Sequence, residues 1–250
     1  MTIRLTIDGH FADNPEALDW LLDQGVDITR TDIHKTDTGF RLAMGNFDYS
    51  LKILDNIAAR GDIQLFDRIV ARGADPLRSL SLHCASKCKD PEKSVAMIDH
   101  LLDCYHVNIE THTKVLQQRG NWPGDSGTPL VCAVHYKNLA AVHRLLKRGA
   151  NPAPAIVLAV GRGSQPHGWL PAVAPLLEAG ADADSALESA VDMKNIEAAK
   201  LCVLHGADPS IMHEKLQVRT ARKAAGLEIV ASDVEDCGEY HSSGDDEKAS

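Results

Sequence analysis

Apolar residues recur at helical spacing along most of the chain. Leu139, Val142, Leu145 and Leu146 lie three or four positions apart, or side by side, as on a helix that buries one face. Ala198, Leu201 and Cys202 repeat the pattern downstream. Before the first of these stretches, Thr128-Pro129-Leu130 opens another helix, because proline is tolerated in a first turn whose N–H groups lack helical partners. Ala133 and Val134 take its small, buried positions, and Lys137-Asn138 leads into a second helix from Leu139 to Leu146. Lys147-Arg148-Gly149-Ala150-Asn151-Pro152 then ends it. Glycine supplies a left-handed helix cap, and the Asx or Pro that follows starts a turn. At the beginning of the chain, Ile3, Leu5 and Ile7 alternate within Met1 to Asp13, which reads equally as a strand or as a decayed first helix.

The same ending recurs. Gly25-Val26-Asp27, Gly73-Ala74-Asp75-Pro76, Gly180-Ala181-Asp182 and Gly206-Ala207-Asp208-Pro209 each follow a Leu- or Val-bearing helical stretch, and Tyr105-His106-Val107-Asn108 is an altered copy. A turn, two antiparallel helices and a glycine-terminated loop, repeated in this way, resemble the ankyrin repeat family over roughly residues 11–230. The resemblance implies an all-α ankyrin-repeat solenoid of about six stacked helix pairs. Gly149 and Gly206 are then expected at positive φ.

The spacing departs from the family period of about 33 residues. Extra chain falls at about residues 28–50 and 109–127, making two enlarged fingers. Gly163 to Gly168 lengthens one inter-helix loop, and Asp90-Pro91-Glu92 adds a further turn. Ala224 to Val230 resembles a truncated final repeat. The expected organisation is a repeat domain over 1–230 and an acidic, disordered tail over 231–250, where hydrophobics are too few to offset ordering entropy.

Composition narrows the setting. The chain is 44% hydrophobic and 24% charged, with a formal charge of −9. The tail holds seven acids and one lysine, so the repeat region is only mildly acidic. Neither part has the basic footprint of a nucleic-acid binder. No apolar run reaches the length of about 20 residues that a membrane span needs, and Met1 to His10 lacks a signal peptide's apolar core. The six cysteines are scattered in a chain rich enough in Leu and Ala to need no disulfide framework. A reducing, intracellular location is expected, cytoplasmic with the nucleus also open.

Several strings imitate chemistry. Gly124-Asp125-Ser126-Gly127-Thr128-Pro129-Leu130, with glycine in place of Thr128, would match the nucleophile loop of chymotrypsin-like proteases, and Leu82-His83-Cys84-Ala85 echoes their histidine segment. Those enzymes are built from β-barrels, whereas this chain is helical and its His83 and Ser126 lie too close for a barrel between them. The resemblance makes the first string the end of an ankyrin turn. It makes His83 the histidine that ties neighbouring turns by hydrogen bonds. Arg60-Gly61-Asp62 falls on an inter-helix turn. Cys84 and Cys88 lack the second ligand pair of a zinc site, so no metal and no cofactor are expected.

The concave side implied by the family is made by the fingers and by the two positions before each inter-helix turn. Those positions are Ala59/Arg60, Lys87/Cys88, His135/Tyr136, Gly161/Arg162 and Asp192/Met193. Three of the four formally charged side chains are basic, and an aromatic centre stands beside the finger that carries Trp122. The expected binding residues are therefore Arg60, Lys87, Trp122, His135, Tyr136, Arg162, Asp192 and Met193. Their partner is a protein, with an acidic or carboxylate-bearing segment as the matching chemistry. Trp122 has two readings, a contact anchor or a pin holding its finger to the helices. Trp20 falls at a core position of a second helix, and Trp169 begins a second helix. An alternative function is an enzyme acting on a small molecule, with His112, His135, Tyr136 and Arg162 as acid–base groups beneath the enlarged fingers.

Overall fold

The computed structural model describes residues 52–112, 127–161 and 168–210, together with Glu16, Ala17, Trp20, Asp23 and Gln24. It divides into two units, Met1–Ala207 and Asp208–Ser250. Among the described residues every regular element is helical. They are α1 (Lys52–Arg60), α2 (Ile63–Ala71), α3 (Ser81–Ser86), α4 (Pro91–Asp103), α5 (Pro129–His135), α6 (Leu139–Lys147), α7 (Ala153–Val160), α8 (Leu170–Glu178), α9 (Ala183–Asp192) and α10 (Ile196–Leu204), with a short 3-10 turn at Pro76–Arg78.

These helices form five described pairs. The first helices, α1, α3, α5, α7 and α9, pack in one row, and the second helices α4, α6, α8 and α10 in another. Ala85, Ala133, Ala159 and Ala190, one on each of four first helices, are fully buried. A methyl side chain lets neighbouring backbones approach closely there. The larger side chains Leu54, Phe66, Ile69, Met97, Leu101, Leu130, Leu145 and Leu176 fill the space between rows with no exposed surface. Stacking of such pairs is how a repeat with one apolar face buries it. The ending at Gly25-Val26-Asp27, the finger at about 28–50 and residues 113–126 of the finger at about 109–127 lie outside the described residues.

Each second helix stops in the same way. Ala74, Ala150, Ala181 and Ala207 donate their N–H back to Ile69, Leu145, Leu176 and Cys202, closing the helix with the bond of a left-handed cap. Gly149 and Gly206 stand at φ 87° and 95°, as expected. In the altered copy His106 accepts the left-handed conformation at φ 52°, and Val107 donates to Leu101 in place of the alanine. The Asx that follows then folds the chain: Asp75 accepts from the N–H of Leu77, Asn108 from Glu110, Asn151 from Ala153 and Asp182 from Asp184. Within the second unit, Asp208 does the same for Ser210.

The turns inside the repeats are equally regular. Asp62, Asn138 and Asn195 cap α2, α6 and α10 by accepting the N–H three residues on. The residue before each cap is left-handed: Gly61 at 67°, Lys137 at 57° and Lys194 at 56°.

Two expectations are corrected. Trp20 is 62% exposed and not in the core. It shares a helix face with Glu16, Asp23 and Gln24, all exposed, so the three- and four-residue spacing puts it on a polar stripe. Cys88, expected on the concave side beside Lys87, is buried. Its N–H turns back to Ala85, and its carbonyl receives the Asn138 amide from the next repeat. Trp169 is the half-buried N-cap of α8, with its N–H donated to Ala159 at 2.7 Å.

Candidate partner-binding surface

The candidate side chains stand where the first helices end. Arg60 closes α1 and is exposed; Lys87 caps α3 and is half-buried. His135 ends α5, half-buried, and Tyr136 caps the same helix with 43% of its surface exposed. Asp192 ends α9, exposed, and Met193 caps it, half-buried. Arg162 and Trp122 lie outside the described residues.

Three of these groups are brought together. The Lys87 ammonium lies 5.5 Å from the Tyr136 ring centroid, a cation–π distance. The His135 ring meets Tyr136 edge-on, with centroids 4.9 Å apart, the arrangement that aromatic quadrupoles favour. Arg60 on α1 and the Asp192–Met193 pair on α9 belong to other repeats.

Beneath the group, His83 is buried on α3, and its Nε2 donates to the Gly127 carbonyl oxygen at 3.0 Å. The histidine therefore ties one repeat to the far end of the following finger. Burial pushes its pKa down to about 4, while the Gly127 and Thr111 carbonyls work against that shift and the charges of His112 and Lys87 add to it. The neutral ring at pH 7 is a donor to a carbonyl, not a base facing a nucleophile. Ser126 lies outside the described residues.

Burial also pushes the Cys84 thiol up, with the charge of Asp55 in the same direction and Lys87 opposing, so this cysteine is an inert thiol. Among the described residues no group of three or more His, Cys, Asp or Glu side chains is arranged to hold a metal. No described helix is long and apolar enough to cross a membrane. In the alternative catalytic set, His135 touches Tyr136 and His112 is near enough to bear on His83.

The turn, helix pair and glycine-terminated loop from Gly127 to Ile156 match the family model for the ankyrin repeat, at residues 127–156. That stretch carries an ankyrin repeat. Ankyrin repeats mediate protein–protein interaction. No curated protein matches the chain.

Several ties that position the ankyrin surface are absent from any reading of spacing. Asn138 reaches back with its Nδ2 to the carbonyls of Ser86 and Cys88 and to the Ser94 hydroxyl. Asn195 does likewise to the Val160 carbonyl. Asp55 on α1 accepts the Leu80 N–H at 2.8 Å, capping the start of α3 from the preceding repeat, where Leu80 itself offers no cap. Along the second-helix row, Arg144 and Arg148 pair with Asp99, and Arg148 also pairs with Asp103. Asp67 takes hydrogen bonds at 2.6 Å from both His100 and Tyr105. The capping asparagines were legible as helix starts; their second contacts were not.

Proposed function

We propose that this array is an adaptor that binds a protein partner along the first-helix row, with Lys87, His135 and Tyr136 at its centre. Arg60, Arg162, Asp192 and Met193 extend the surface, and Trp122 contributes from its finger. The partner presents an acidic or carboxylate-bearing segment. The observation that supports this reading is the Tyr136 ring, 43% exposed, with the Lys87 ammonium over its face and His135 at its edge. Tyrosine beside a cation has the composition of an interface hot spot, since the ring brings large area at small entropic loss and the cation selects a negative partner. The expected setting is a reducing compartment.

The test begins with partners captured from the native host on the full chain. Tyr136→Ala is expected to weaken binding by about 1–3 kcal/mol, the scale of a hot-spot truncation. Arg162→Glu is expected to weaken it most at low salt, where screening is least. Both variants keep their helical circular dichroism. Normal binding by these variants, combined with loss of binding on substitution of exposed second-helix residues such as His143, would place the functional surface on the other row and overturn the proposal.

A further inference from the structure

The turns inside the repeats carry a feature that stacking does not require. Gly61, Lys137 and Lys194 occupy the same place, each with a left-handed backbone and each donating its N–H to the carbonyl three residues earlier. At the first position glycine is obligatory, because a Cβ there would fall 2.5 Å from the Cβ of Lys93. The other two turns hold a lysine in a conformation that disfavours any residue with a Cβ. Both lysines are exposed, and neither ammonium pairs with a carboxylate among the described residues.

Their surroundings repeat as well. Tyr136 and Leu139 flank the first lysine, 43% and 36% exposed; Met193, half-buried, and Ile196, 67% exposed, flank the second. An exposed cation flanked along the chain by exposed or half-buried apolar residues thus stands on two turns of a chain whose net charge is −9. We propose that these turns form a second docking strip, fitted to an acidic segment that carries aliphatic residues between its carboxylates. The exposed leucine and isoleucine favour a polypeptide over a phosphate backbone, which would leave them in water. α5 and α9 are separated by α7, so the strip spans roughly 20 Å at the usual helix spacing. Carboxylates about six residues apart on an extended segment reach both lysines. The strip rests on the reading of an acidic partner but adds contacts beyond the first-helix row, sharing only Tyr136 and Met193 with it.

The test uses the full chain and a fluorescein-labelled peptide of mixed glutamate and leucine, with a lysine–leucine peptide of equal length as control. The wild-type protein is expected to bind the acidic peptide and not the basic one. Lys137→Gly with Lys194→Gly is expected to melt a few degrees higher, because glycine relieves the left-handed backbone. The same double variant is expected to bind the acidic peptide about tenfold more weakly, the combined effect of losing two exposed ion pairs. Lys137→Gln with Lys194→Gln is expected to lose the binding without the gain in stability. Unchanged binding in both double variants overturns the proposal, as does failure of the wild type to prefer the acidic peptide. A glycine variant that melts no higher removes its premise. If Tyr136→Ala abolishes binding while the lysine variants bind normally, the strip falls and the first-helix reading stands.

Discussion

Asn138→Ala removes a side chain that serves two repeats at once. Its Oδ1 accepts the Ala141 N–H at 3.1 Å, and its Nδ2 lies 3.1 Å from the Ser86 carbonyl, 3.0 Å from the Cys88 carbonyl and 2.9 Å from the Ser94 hydroxyl. Loss of the cap costs about 1 kcal/mol. Two buried carbonyl acceptors are then left without this donor, at about 1 kcal/mol each or somewhat more. Ser94 suffers less, since its hydroxyl also donates to the Ala85 carbonyl at 2.8 Å. The expected destabilisation is about 3–4 kcal/mol, concentrated at the joint between the second and third described repeats. Asn195→Ala is expected to destabilise as well, since it removes a cap and the bond to the Val160 carbonyl, at about 1 kcal/mol each. Asn138→Asp keeps the cap but turns a carboxylate toward two carbonyl oxygens, so it should recover none of the cross-repeat contribution. The assay is urea unfolding followed by far-UV circular dichroism, where weakening of one joint is also expected to split the transition. An Asn138→Asp variant as stable as the wild type would refute the assignment of stability to the Nδ2 contacts.

Two further outcomes can be read from stability alone. His83 has a folded pKa of about 4 against 6.5 in the unfolded chain, so the unfolded state takes up its proton first as the pH falls. Its contribution is complete above pH 6.5 and is lost progressively down to about pH 4, amounting to about 3 kcal/mol for a shift of this size; a His83→Gln variant should show a flatter stability profile across that window. Leu145 is fully buried on α6, and Leu145→Ala is expected to lose about 2–5 kcal/mol through the cavity it opens, measured by the same urea unfolding.

The repeat endings were legible in the sequence because their physics is local. A glycine cap, the alanine that bonds back five residues, and the Asx side chain that accepts two residues on all depend on neighbours within a single turn. Gly149 and Gly206 therefore adopted the conformation their setting required, and the same geometry survived at His106 without glycine. The exposure of Trp20 was also within reach, since Glu16, Asp23 and Gln24 mark its helix face as polar. Contacts between repeats were of another kind. Asn138 meets Ser86, Asp55 caps Leu80 and Lys87 lies over Tyr136 across about 25 to 52 residues of sequence, so no periodicity within one helix encodes them. Spacing before a turn placed Lys87, His135 and Tyr136 on one row, but their meeting, and the burial of Cys88 beside them, followed from how consecutive pairs stack. Local hydrogen bonds determine what each repeat is; the packing of one repeat on the next decides which side chains share a surface.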